Sequence, residues 1–124
     1  MANGKRKHLR VSVPWSVLIE TRDGFIDCRI KDISASGAFI WCPEVLEVND
    51  RICMAIISIP LLNLHVPVCA QVIRFENGCL DGEINYHGIG VQFTKMSAAD
   101  REFITDYVSE HVKSDCIGYR RAHL

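Results

Sequence analysis

The sequence lacks any apolar run long enough to cross a bilayer: its longest, Ile52 to Ile57, falls far short of the ~20 residues a spanning helix needs. The opening segment, Met1 to Arg10, is charged and has no apolar stretch, so neither export nor membrane insertion is expected and a cytoplasmic location is. Closely spaced metal-ligand pairs are also missing. The nearest of the six cysteines, Cys69 and Cys79, stand ten positions apart, which excludes the CxxC knuckles of structural zinc. His8, His65, His87, His111 and His123 form no ligand pattern, so no metal or cofactor is expected. No nucleophile with a base and no carboxylate dyad is legible, and the chain is read as a non-enzyme. Charge of one sign is absent as well: a formal net charge of -1 argues against a surface built as a phosphate-binding field, and no nucleic-acid partner is expected.

What is present is an ordinary globular composition. Apolar residues make up 48% and charged residues 23% of 124 residues, well away from the signature of disorder and enough for one domain that folds alone. Cys28, Cys42, Cys53, Cys69, Cys79 and Cys116 fall mostly in apolar strand-like runs, and are expected to be free thiols buried in the structure. Lys5, Arg6, Lys7, His8 and Arg10 crowd the N-terminus, while acidic residues are scattered. One local basic site on a near-neutral body suits a compact anionic ligand.

From Leu9 to Phe93 the pattern is that of short strands separated by turn residues. Trp15 to Thr21 and Phe25 to Ile33, joined by Arg22-Asp23-Gly24, predict a hairpin. A third strand, Ala38 to Cys42, ends at Pro43. The fourth, Ile52 to Ile59, is apolar at nearly every position and is expected to be dry on both faces, one toward the core and one toward a helix or second subunit. Leu64 to Val72 alternates as a half-buried strand, with Asn77-Gly78 marking its end. In Glu83 to Phe93 the period-two phase slips near Gly88, which predicts a β-bulge there; with no third glycine and no following helix, Gly88-Ile89-Gly90 is not a dinucleotide loop.

Ser97-Ala98-Ala99-Asp100 has capping-box spacing, and Phe103, Ile104, Tyr107, Val108 and Val112 form one apolar stripe behind it. A terminal helix packed on the strands is expected over this stretch, with residues 113–124 as a tail. Without helices between the strands, parallel βαβ architecture is excluded. The expectation is a mainly β fold: a small six-stranded antiparallel barrel with a C-terminal α-helix. Trp15 and Trp41 are read as core or rim residues.

Two segments carry chemistry: Arg6-Lys7-His8-Leu9-Arg10, with two arginines four apart, and Asp32-Ile33-Ser34-Ala35-Ser36-Gly37. Together they resemble the RxxxR and (D/N)xSxxG segments of the PilZ domain family, and the resemblance extends to Gly88-Ile89-Gly90-Val91-Gln92-Phe93 and the helix after it. It implies a split barrel over residues 1–112 with a flexible arm at 1–10, a cyclic di-GMP ligand, a downstream protein partner and a possible homodimer. Lys5 occupies the position that, in similar domains, influences whether one ligand or a self-stacked pair is held, and a basic residue there leans toward the pair.

The residue chemistry suits such a ligand on its own terms. The guanidinium forks of Arg6 and Arg10 can pair with phosphate oxygens, reach guanine O6 and N7, or stack on a purine. Asp32 can accept from the guanine N1 and N2 donors, Ser34 offers a short hydroxyl, and Gly37 permits a tight turn or close approach. Taken singly, the two segments also read as an Asx-type turn and a solvated terminus. Their joint occurrence favours the ligand site, because a turn needs no distant arginine pair. The rival readings are a PilZ-like adaptor that binds a protein through the Ile52 to Ile59 face and no nucleotide, and an oligonucleotide-binding barrel. Against the latter, aromatic and basic residues are not interleaved.

Overall fold

Alternating apolar and polar residues drive the chain into antiparallel strands that close on themselves. The computed structural model describes residues 9–57, 65–77 and 86–123, with side chains through residue 112. The strands are β1 (Val11–Ser12), β2 (Ser16–Thr21), β3 (Gly24–Ile33), β4 (Gly37–Cys42), β5 (Arg51–Ile57), β6 (His65–Asn77) and β7 (His87–Lys95), followed by the helix α1 (Ala98–His123). Their order is β1-β3-β2-β5-β6-β7-β4, and β3 also pairs with β4. Six antiparallel strands therefore form a closed barrel, with β1 as an extra strand on the edge of β3. The expected fold class stands; β1, two residues long, is too short to announce itself in sequence.

The barrel interior is filled by the inward phase of each strand. Val17, Ile19, Ile33, Ile40, Ile56, Val66, Val72 and Ile89 are fully buried, and each such side chain contributes roughly 1.5–3 kcal/mol by leaving water. The β2–β3 hairpin turns where expected. Gly24 takes a φ of 130° there, and the Thr21 hydroxyl donates to its carbonyl at 3.1 Å.

Three expectations are corrected by the strand pairing. First, β5 is dry on one face only: Ile52, Met54 and Ile56 are buried, while Cys53 is exposed and Ala55 and Ile57 are half-buried. Ser58 and Ile59 lie outside the described residues. Second, β7 shows no register slip at Gly88; the extra residues opposite each other's strand are Ile73 on β6 and Thr94 on β7. Tyr86 precedes β7, which starts at His87, and Ile84 lies outside the described residues, so the phase change read in sequence does not fall within the strand. Third, burial holds for Cys28 and Cys42 but not for Cys53, which is exposed, or Cys69, which is half-exposed.

The terminal helix packs as its stripe demands. Ile104 and Val108 are buried, and Phe103, Tyr107 and Val112 pack against the core; Tyr107 meets the buried Trp15 ring at a centroid distance of 4.9 Å. The helix backbone continues to His123, well past the end of the stripe. Its start is capped as predicted, with the Asp100 amide donating to the Ser97 hydroxyl at 3.1 Å. Replacing Ser97 with alanine leaves that amide without its acceptor and is expected to cost about 1 kcal/mol, read as a lower denaturation midpoint at unchanged m-value.

Candidate functional site

Two bulges decide which side chains reach one patch of the outer surface. In β3 the inward phase runs Ile26, Cys28, Ile30 and would continue to Asp32. The slip between the pairs Ile30–Ile40 and Asp32–Phe39 leaves Lys31 as the extra residue. The phase therefore inverts, and Asp32 turns outward while Ile33 turns in. In β6 the inward phase runs Val66, Val68, Ala70, Val72, and the extra residue Ile73 then sends Phe75 toward the core and Arg74 and Glu76 outward. Across β3, β4, β7 and β6 the outer face consequently reads Asp32, Phe39, Gly90, Arg74 in one row.

Glycine makes the floor of this patch. A Cβ at Gly88 would collide with the Phe39 ring, and one at Gly90 would stand 3.4 Å from the Arg74 Cβ. Their absence lets Phe39 lie against the sheet, where it is only 6% exposed. The Lys31 ammonium lies 5.3 Å from the Phe39 centroid and the Arg74 guanidinium carbon 5.4 Å from it. Trp41 meets the same ring edge-on at 5.4 Å. The result is an aromatic floor flanked by two cations.

Above it opens a cleft of about 260 Å³ lined by Arg10, Lys31, Asp32, Phe39, Arg74 and Glu76. Arg10 Nη1 donates to Asp32 Oδ1 at 2.7 Å, and Arg74 Nε to Glu76 Oε2 at 3.1 Å. Arg10 is 47% and Asp32 22% exposed, so their pair is worth about 0–1 kcal/mol and can be exchanged for other partners at little cost. Three cations and two carboxylates line the cleft together.

The turn beneath the cleft is a hydrogen-bonded unit. The fully buried Ser34 hydroxyl accepts from the amides of Ser36 and Gly37 and donates to the Gly37 carbonyl, each at 3.2 Å. The Ser34 amide donates to that same carbonyl at 2.8 Å, and the Phe93 amide to the Ser36 carbonyl at 2.8 Å. Arg101 of α1 reaches the Ala35 carbonyl at 3.4 Å. A Cβ on Gly37 would strike the Val91 carbonyl oxygen on β7. Ser34 and Gly37 thus act on the cleft by fixing where Asp32 leaves β3.

Of the residues singled out in sequence, Arg10 and Asp32 meet directly, Ser34 and Gly37 build the turn under them, and Lys5 and Arg6 lie outside the described residues. Sequence reasoning missed Lys31, Phe39, Arg74 and Glu76. A signal existed in the three-residue steps Ile30 to Ile33 and Val72 to Phe75, each inside a period-two strand and each the mark of a bulge.

The family model for the PilZ domain matches residues 4–110. The chain belongs to the PilZ domain family. Among solved structures, this PilZ barrel is similar to the Bacillus subtilis inhibitor of motility MotI/DgrA, with a TM-score of 0.74 and 17% identity over 89% of this chain and 52% of that one. It is similar also to Escherichia coli YcgR in complex with c-di-GMP, with a TM-score of 0.71 and 15% identity over 95% of this chain and 50% of that one. The separate PilZ domain of YcgR with c-di-GMP gives 0.66 and 15% over 90% of this chain and 97% of its own. The chain spans about half the length of MotI/DgrA and of YcgR, and at these identities the likeness speaks for the fold. No curated protein matches the sequence.

Proposed function

We propose that this PilZ domain is a cyclic di-GMP receptor that binds its ligand without turning it over. The observation that carries the reading is the Arg10–Asp32 pair, 2.7 Å apart at the rim of an open cleft. A guanidinium fork and a carboxylate held side by side offer what the edge of one guanine and an adjacent phosphate need: donors for O6, N7 or phosphate oxygen and an acceptor for N1 and N2. The solved YcgR complexes with c-di-GMP support the choice of ligand. The cleft, about 260 Å³, is below the roughly 300–1,000 Å³ of pockets that enclose a drug-sized molecule. It therefore takes one base of the ligand, stacked beside Arg74, while residues 1–10 with Lys5 and Arg6 close over the phosphates. Ordering of that arm is the signal passed to a protein partner. Lys5 favours a self-stacked ligand pair.

Titration calorimetry with cyclic di-GMP, with GTP and GMP as controls, tests this. Four or five charge-assisted contacts less the ordering cost predict a micromolar to sub-micromolar Kd. Saturation at two ligands per chain would agree with the role of Lys5. No heat with cyclic di-GMP, or equal heat with GMP, would overturn the reading.

A further inference from the structure

On the outer face of the barrel β5 and β6 hold two cysteines directly opposite each other: Cys53 pairs with Cys69. The kind of pair follows from Pro67, two residues along β6. Pro67 stands opposite Ala55 and has no N–H to give, so that pair is one of the ladder's non-hydrogen-bonded pairs. The pattern repeats every second residue, which puts Cys53 and Cys69 in the same class. The Val72 amide donating to the Asp50 carbonyl at 2.8 Å fixes the complementary phase. In non-hydrogen-bonded pairs the Cα atoms approach to about 4.5 Å with side chains closest, inside the about 4.4–6.8 Å that a disulfide spans.

Access distinguishes this pair from the other. Cys28 and Cys42 also adjoin, but both are buried, and the Cys42 sulfur together with burial pushes the Cys28 thiol far up. Cys53 is exposed and Cys69 half-exposed. Both line an apolar groove of about 470 Å³ that also contains Met54, Pro67, Met96 and Lys95. The Cys69 sulfur beside it pushes the Cys53 thiol up.

We propose that Cys53 and Cys69 form a redox-active surface dithiol, oxidised to a cross-strand disulfide by low-molecular-weight disulfides that dock in this groove. One thiolate attacks a sulfur of the reagent R′SSR′ and expels R′S⁻, giving a mixed disulfide; the second thiolate then attacks the protein sulfur of that bond and expels the other R′S⁻. Two R′SH are formed as the protein loses two hydrogens, so the reagent is the oxidant and the balance closes. Lys95, which pairs with Cys69 from the β7 side, supplies a cation for a reagent bearing carboxylates. The inference is independent of nucleotide binding, and so is its test.

Native protein is incubated with glutathione disulfide, its remaining thiols are alkylated, and the product is mapped by mass. The expected product has lost the thiols of two of its six cysteines, carries no glutathione, and contains a Cys53–Cys69 linked peptide that dithiothreitol resolves. Cys53→Ser should instead retain one glutathione on Cys69 with no internal bond. A wild-type protein that keeps a stable glutathione adduct, that leaves both thiols alkylatable, or that links either to Cys79 or Cys116 would overturn the proposal. An unchanged denaturation midpoint for reduced Cys53→Ser shows that its adduct reports on an intact barrel.

Discussion

Arg10→Ala should weaken cyclic di-GMP binding by about ten- to a hundredfold, because a hydrogen bond to a charged group is worth roughly 1.5–3 kcal/mol and each ~1.4 kcal/mol is a factor of ten. The unfolding midpoint should stay where it is, since the side chain is 47% exposed and its pair with Asp32 adds little to the folded state. That separation makes the substitution informative: a loss of binding in a protein of unaltered stability locates the effect at the cleft. Arg10→Lys should restore only part of the affinity, because an ammonium is a point charge without the planar fork that grips a phosphate or a guanine edge. Calorimetry on the variants measures all of this, and an Arg10→Ala protein that binds as tightly as the parent removes Arg10 from the site.

The second large effect is expected on stability. Gly37→Ala places a methyl group against the Val91 carbonyl oxygen of the neighbouring strand. Backbone cannot swing aside as the end of a side chain can, so β4 must draw away from β7 along the pairs Gly37–Gln92 and Ala38–Val91. The same shift loosens the Ser34 turn, whose hydroxyl and amide both end on the Gly37 carbonyl. Overpacking of this kind costs about 3 kcal/mol, a large fraction of the roughly 5–15 kcal/mol that holds a domain together. Denaturant unfolding should show a markedly lower midpoint. A shift below about 1 kcal/mol would mean that the two strands are free to separate and that the glycine serves the turn alone.

The two effects touch different layers of one site. Arg10 and Asp32 line the cleft, whereas Ser34 and Gly37 build the hydrogen-bonded turn that follows Asp32 in the chain. The fit between motif and geometry is therefore uneven: of the three motif residues Asp32 alone is half-exposed, while Ser34 and Gly37 are buried in the turn. Arg101, reaching from α1 to the Ala35 carbonyl, gives the turn a second support outside the motif.

Read alone, the chain determined its longer strands, its hairpin and its helix cap, because each rests on residues a few positions apart. Alternation, a turn dipeptide and a capping serine act locally, so they can be read locally. The tertiary structure alone decided that β5 leaves one face uncovered, that the bulges fall at Lys31 and Ile73, and that Asp32, Phe39, Gly90 and Arg74 share a row. A register is a relation between strands distant in the chain, and one residue of slip exchanges inside for outside. The same reason hid the opposition of Cys53 and Cys69, sixteen positions apart in sequence and adjacent only once β5 and β6 are aligned.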